Sequence, residues 1–314
     1  MLELNRKTFD RLGITKWHER GYTGKRGLSV TYEYFSFESD KGGHGLQTAK
    51  VFKEVAPDRK LVHVSDSTKD VAATAQWIFD NNADTGFRSM QSDETGNDEI
   101  YAKTLPFCSL FNSAGNDNTA DYAKAIRDEY WFGVASAGFG AGVFSPASYS
   151  SYSEYVDFAA VDNVYIQYSN GIINPFSGTS CAAPVLAGMA SLVNDFFYER
   201  KGRPLSHDEM YWFIKAHCLD VSAPGKDIRT GWGVFILPDP ATINPDDWMD
   251  NMEIKLKIGS RIMLVDGVEH ILEQAPFVDP TSGRTVMPLR APMEALGHKV
   301  IWDKERPLEI LIVK

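Results

Sequence analysis

The sequence predicts an α/β protein with a largely parallel sheet, followed by a smaller C-terminal module rich in β-structure. Helix-like and strand-like apolar segments alternate along residues 28–137, which is the pattern of parallel strands joined by helical crossovers. After a Pro- and Asp-rich stretch at 238–252, the pattern changes to short alternating strands with one short helix. The length of 314 residues fits two such units.

The elements of the first unit follow from local signals. Ser67 or Thr68 is the expected N-cap of a helix that carries Asp70 in its first turn. Parallel strands end at one edge of a sheet, so polar residues that follow them are expected to meet there. In chain order the sequence predicts a strand at 28–35, a helix at 45–55, a strand at 60–64, a helix at 71–79, an apolar run at 105–111, a helix at 121–130 and a strand at 131–137.

Composition and charge exclude several classes of partner and location. The chain is 43% apolar, which suffices for a buried core, and its net charge of −10 argues against nucleic acid and anionic membranes. An odd number of widely spaced cysteines predicts free thiols rather than disulfides. The sequence contains no signal-type segment and no run of 18 apolar residues, which predicts no membrane span and, by default, a cytoplasmic protein.

Residues 178–184 have the sequence GTSCAAP and lead into the apolar, small-residue stretch 185–193. A serine where a glycine-rich loop enters a helix lies at the positive end of that helix, beside unsatisfied N–H groups. Those groups favour an attacking alkoxide and a developing oxyanion, so Ser180 is a candidate nucleophile. Pro184 is expected in the first helical turn, where proline is tolerated. The alternative is an ordinary N-cap formed by Thr179 or Ser180.

Two further segments carry residue types that a serine nucleophile needs. His44 lies in GGHGLQTA at a predicted helix start, and a histidine has a pKa close to the working pH of a general base. Asn116 ends the run SAGN, where its amide could donate to an oxyanion. Taken singly, each has a structural alternative, a histidine in a glycine-rich turn and an asparagine that forms a turn.

Together these segments resemble the subtilisin-like serine proteases. Residues 178–184 are similar to the G-T-S-x-A-x-P signature. Residues 44–50 are similar to the H-G-T-H-V-A-G motif, with Gln47 in place of the second histidine and Lys50 in place of the last glycine. The run SAGN is similar to A-A-G-N. The resemblance implies a three-layer subtilisin-like fold over 1–237, with Ser180 as nucleophile and His44 as base. It implies an oxyanion hole formed by Asn116 and the Ser180 N–H. Weaker likenesses lie at 55–61, 132–137, 151–160 and 230–234.

The acidic partner of the histidine is less well marked, because the family's D-[ST]-G motif is missing. Glu33 stands near the end of the predicted strand that would deliver the aspartate, and a glutamate can orient an imidazole. Glu33 is the preferred acid, with Asp40 in the following polar loop, or no acid at all, as alternatives. For peptide binding, Ser89, Met90 and Gln91 are expected to replace the family's S-L-G strand edge.

The first unit is therefore expected to be a serine endopeptidase that acts on peptides or proteins. The alternative, suggested by the missing aspartate motif and the degenerate histidine motif, is a pseudoprotease that binds a peptide or a partner without cleaving it. No cofactor and no metal site are expected, although the sequence leaves a calcium site open.

Residues 283–303, GRTVMPLRAPMEALGHKVIWD, resemble the N-terminal stalk domain of copper amine oxidases. This places a domain at 253–314 behind a linker at 238–252. The resemblance implies a role in surface anchoring, cell-wall binding or self-association, and a bacterial or phage origin. It implies no copper, because no ligand cluster is visible, and His270 and His298 are expected at the surface.

Overall fold

The computed structural model divides the chain into two compact units, Met1–Trp248 and Met249–Lys314. Residues 238–248, predicted as linker, belong to the first unit. The Trp248 ring packs 4.9 Å from the ring of Phe213 and 5.1 Å from that of His217. That stretch is therefore packed structure rather than a free connection. The residues described are 1–33, 43–65, 70–90, 97–120, 130–168, 170–248, 254–265, 268–281, 283–295, 299–302 and 310–313.

A nine-stranded, mostly parallel sheet forms the centre of the described part of the first unit. Its order is β10-β11-β7-β5-β4-β3-β1-β2, with β6 paired to β5. All neighbouring pairs are parallel except β5 with β6 and β10 with β11. The strands are β1 Leu28–Glu33, β2 Lys60–Ser65, β3 Ala83–Arg88, β4 Ser109–Ser113, β5 Trp131–Gly140, β6 Val143–Pro146, β7 Val156–Val161, β10 Cys218–Leu219 and β11 Val234–Phe235; a separate hairpin joins β8 Val164–Gln167 to β9 Ile173–Phe176.

Helices cover both faces of this sheet. Successive side chains of a strand point to opposite faces. The Ser29 hydroxyl of β1 lies 3.2 Å from that of Ser191 in α6, whereas Val30 packs in a cluster with Ile78 of α4. The three-layer α/β fold predicted from the sequence is therefore confirmed. The helices of this unit are α1 Arg6–Arg11, α2 Ile14–Glu19, α3 His44–Val55, α4 Val71–Asp80, α5 Asp98–Thr104, α6 Thr179–Lys201 and α7 His207–Ala216.

The long helix α6 is the core of the unit. It is long and apolar enough to cross a membrane, yet 94% of its most apolar window is buried inside the fold. Its apolar composition is therefore that of a core helix. Gly188 permits close packing against α3, because a methyl group there would lie 2.8 Å from the Val55 Cβ.

Two local predictions differ from the structure. Asp70, expected in the first turn of α4, is its N-cap and accepts from the Ala73 N–H at 2.9 Å; a carboxylate suits this position. Pro184 lies six residues into α6, beyond the first turn. The predicted helix at 121–130 falls almost wholly outside the described residues. All three cysteines, Cys108, Cys181 and Cys218, are free, as predicted.

The C-terminal unit is built from small antiparallel sheets. Strands β12, β13 and β14 form one antiparallel sheet, in which Val265 pairs with Val268. The pairs β15–β16 and β17–β18 form two more. The elements are β12 Ile254–Leu256, β13 Ile262–Val265, β14 Val268–Ile271, β15 Phe277–Val278, β16 Thr285–Val286, α8 Arg290–Ala295, β17 Lys299–Trp302 and β18 Ile310–Val313.

Candidate active site

The candidate residues lie where parallel strands end. Glu33 is the last residue of β1, Ser89 directly follows β3, and Asn116 comes three residues after β4. Because β1, β3 and β4 are parallel neighbours, all three residues lie at the same edge of the sheet. Helix α6 starts at this edge and carries Ser180 as its second residue, as the Ser89 contact described below shows.

Gly178 gives the chain its entry into α6. Its backbone has φ 93° and ψ 174°, a conformation that is essentially restricted to glycine. A methyl group on this residue would lie 3.1 Å from Asn116 Oδ1 and 3.3 Å from Asn116 Nδ2. The glycine is therefore needed for its conformation and for the space that Asn116 fills.

The side chain of Asn116 is held by the residue that follows Gly178. Asn116 Oδ1 accepts from the Thr179 backbone N–H at 2.8 Å and from the Thr179 hydroxyl at 3.0 Å. Thr179 Oγ1 in turn accepts from the Gly115 N–H at 3.1 Å. These contacts engage the oxygen of the Asn116 amide, so its nitrogen is the group of this side chain that could donate a further hydrogen bond.

His44 is the first residue of α3 and contacts Glu33. His44 Nδ1 lies 3.3 Å from each carboxylate oxygen of Glu33. The Glu33 side chain is 4% exposed and that of His44 44% exposed. A buried carboxylate behind an accessible imidazole can fix the ring's tautomer and stabilise its charged form. The Phe176 ring packs edge-on against His44 with a centroid distance of 5.9 Å.

Two further residues hold Glu33, and sequence reasoning did not identify either as part of the site. The Thr48 hydroxyl lies 3.3 Å from Glu33 Oε1 and 3.0 Å from the Gly45 carbonyl. The Nε2 atom of His63 lies 2.9 Å from the Glu33 carbonyl oxygen. The four-residue spacing of His44 and Thr48 places both on one face of α3, which is a signal the sequence does contain.

The Ser180 hydroxyl donates to the Ser89 carbonyl oxygen at 3.0 Å. The Ser89 hydroxyl donates to the Ser180 carbonyl oxygen at 3.1 Å. In the described part of the chain, the hydrogen bond of the candidate nucleophile thus goes to Ser89 and not to His44. Met90 is half-buried beside Ser89, whereas Gln91 and the alternative acid Asp40 lie outside the described residues.

Burial disfavours the charged forms of two groups near the start of α6. Burial raises the pKa of the neighbouring Cys181 thiol far above its ordinary value. Burial also raises the pKa of Asp162, which accepts from the Ser136 hydroxyl at 2.9 Å. Among the residues that the structure describes, no group of three or more His, Cys, Asp or Glu could hold a metal ion.

Two solved structures resemble this chain over most of their length. A lanthipeptide protease superposes with a TM-score of 0.58 and 18% identity, over 75% of this chain and 95% of its own. The prenylagaramide maturation protease PagA superposes with a TM-score of 0.54 and 14% identity, over 76% of this chain and 97% of its own. The first unit has a subtilisin-like fold. At these identities the likeness concerns the fold alone.

The C-terminal region matches a different family. Residues 241–310 match the model described as the copper amine oxidase N-terminal domain, in agreement with the resemblance seen in the sequence. No protein of curated function matches the sequence significantly.

Proposed function

We propose that the chain is a serine endopeptidase in which Ser180, His44 and Glu33 form the catalytic triad. The observation that carries this proposal is the contact of His44 Nδ1 with both oxygens of the buried Glu33 carboxylate, 3.3 Å away. The contact lies at the sheet edge where α6 presents Ser180 at its N-terminus. The two structural neighbours are proteases by their titles, which supports a peptide substrate.

The proposed reaction is acyl transfer through Ser180. Its hydroxyl oxygen attacks the peptide carbonyl carbon while His44 Nε2 takes the hydroxyl proton, and Glu33 stabilises the resulting imidazolium. His44 then protonates the leaving amine as the C–N bond breaks, which leaves an acyl-enzyme. Water, deprotonated by His44, releases the acid and regenerates Ser180.

The oxyanion would be stabilised by Asn116 Nδ2 and by the Ser180 N–H. The Asn116 amide is oriented in advance, because Thr179 holds its oxygen through two hydrogen bonds. Loss of such a side-chain donor costs about 3–4 kcal/mol of transition-state stabilisation, a magnitude measured on a subtilisin. Substrate binding must also move the Ser180 hydroxyl from the Ser89 carbonyl to His44, a change common between free and substrate-bound active sites.

The second candidate is a pseudoprotease that binds peptide without cleaving it. The observation in favour of this candidate is that the Ser180 hydroxyl donates its hydrogen bond to the Ser89 carbonyl oxygen rather than to His44. In either case we propose that the edge formed by Ser89, Met90 and Gln91 pairs with an extended peptide. No cofactor is needed for either function. For the C-terminal unit we propose a binding or positioning role, in line with its family match.

The test is hydrolysis of a quenched peptide library by the wild type and by three single alanine variants. Ser180→Ala should abolish turnover, and Glu33→Ala should lower kcat by about 10⁴-fold, the cost of losing the orienting acid in a serine triad. Asp40→Ala is the matched control and should leave kcat near the wild-type value. Equal turnover by the wild type and Ser180→Ala would remove the protease proposal. A loss in Asp40→Ala but not in Glu33→Ala would reassign the acid.

A further inference from the structure

Helix α6 lacks one of its own hydrogen bonds at the candidate nucleophile. In an α-helix the N–H of each residue bonds to the carbonyl four residues earlier. Pro184 is the sixth residue of α6, and the carbonyl four residues before it is that of Ser180. Proline has no N–H, and its ring crowds that same carbonyl. The Ser180 carbonyl oxygen therefore lacks the N–H donor four residues later that it would have in a regular helix.

The Ser89 side chain supplies the missing donor. Its hydroxyl lies 3.1 Å from the Ser180 carbonyl oxygen, and the residue is 3% exposed. Ser89 directly follows β3, so this bond ties the end of a core strand to the first turn of α6. A buried carbonyl left without a donor is destabilising, so the hydrogen bond from Ser89 replaces an interaction that the fold needs.

We propose that Ser89 is a positioning residue. Its hydroxyl fixes the backbone of Ser180 by replacing the hydrogen bond that Pro184 removes. This proposal rests on the proposed protease function. The Ser180 carbonyl and N–H flank the same Cα, so holding the carbonyl limits rotation that would displace both the attacking hydroxyl and the oxyanion donor. The role belongs to the Ser89 side chain and is distinct from peptide binding, for which its backbone would serve.

The test is a double-mutant cycle of Ser89→Ala and Pro184→Ala in the full chain. For each protein of the cycle we would measure the rate at which a fluorophosphonate labels Ser180, together with kcat and KM for a peptide substrate. Ser89→Ala alone should lower the labelling rate and kcat about tenfold and leave KM within about twofold, since one displaced contact of about 1.4 kcal/mol corresponds to a factor of ten. Pro184→Ala restores a backbone N–H toward Ser180, so in that background Ser89→Ala should change kcat less than about twofold.

Two control variants test whether the effect comes from the hydrogen bond donated by Ser89. Ser109 is a buried serine of the same sheet, and its hydroxyl has no hydrogen-bond partner among the described residues. Ser109→Ala should therefore leave the labelling rate of Ser180 unchanged. Ser89→Thr retains a hydroxyl and should label faster than Ser89→Ala, which tests the donor even where Pro184→Ala fails to fold.

Three results would overturn the proposal. An equal loss from Ser89→Ala in both backgrounds would place the hydroxyl's effect elsewhere, and a rise in KM alone would assign it to substrate binding. Ser89→Thr labelling no faster than Ser89→Ala would also count against a donor role. If the folded wild type does not label at Ser180 at all, the proposed function itself fails, and this proposal fails with it.

Discussion

Replacing Gly178 by alanine places a methyl group against the proposed oxyanion donor. The new carbon would lie 3.1 Å from Asn116 Oδ1 and 3.3 Å from Nδ2, closer than ordinary van der Waals contact. The backbone at φ 93° and ψ 174° adds strain of about 1–3 kcal/mol. Because two hydrogen bonds from Thr179 hold the Asn116 side chain, the added methyl group must either break those bonds or displace the end of β4. We expect kcat to fall about 10²-fold, close to the effect of losing the amide donor.

The assay is steady-state peptide hydrolysis beside thermal unfolding, with Gly171→Ala as the matched control. Gly171 also has a positive φ, 84°, but a methyl group there meets nothing within 4 Å. Both variants should lose stability from backbone strain, and only Gly178→Ala should lose kcat. Equal kcat in Gly178→Ala and Gly171→Ala would show that Gly178 does not pack against a functional oxyanion donor.

Three other predictions follow from the packing around the site. Thr48→Val should lower kcat several-fold while Thr48→Ser retains it, and neither should matter in a Glu33→Ala background, because the hydroxyl acts through the Glu33 carboxylate. Arg59→Met should lower the free energy of unfolding in denaturant by about 3–5 kcal/mol at pH 7, because it leaves the buried Asp84 carboxylate without its cation. Burial already raises the pKa of Asp84, so protonation should make this loss smaller at pH 4, and a constant loss across that range would contradict the assignment. Iodoacetamide should not alkylate Cys181 in the folded protein, since the thiol is buried and its pKa is raised; rapid alkylation seen by mass spectrometry would contradict this.

Strand ends and helix starts were predictable because each is carried by a local pattern. The predicted strand at 28–35 contains Glu33, and the apolar run at 105–111 leads towards Asn116; parallel pairing brings the ends of the two strands to one edge. The position of His44 at a glycine-rich helix start likewise predicts its approach to that edge, where it meets Glu33. The catalytic roles of these residues stay predictions.

Side-chain contacts between distant elements could not be predicted in the same way. The spacing from His44 places Thr48 on the same face of α3, but the sequence does not show that the Thr48 and Thr179 hydroxyls contact Glu33 and Asn116. Each contact depends on the packing of a helix against a strand end. Pro184 was expected in the first turn because the sequence motif does not specify at which residue the helix begins. Helix α6 begins at Thr179, which places Pro184 beyond the first turn. The Pro- and Asp-rich segment before Trp248 indicated a linker, whereas the ring contacts of Trp248 with Phe213 and His217 pack it against the first unit.

The proposed function requires Ser180 to be an activated nucleophile, and the rate of its phosphonylation measures that activation without a peptide substrate. The folded protein is incubated with a fluorophosphonate, digested and mapped by mass spectrometry, beside His44→Ala. We expect an adduct on Ser180 in the wild type and a labelling rate at least about 10²-fold lower in His44→Ala, since the general base supplies that much of the activation. Well-folded wild-type protein that carries no adduct on Ser180 would contradict the proposed function and favour the peptide-binding pseudoprotease.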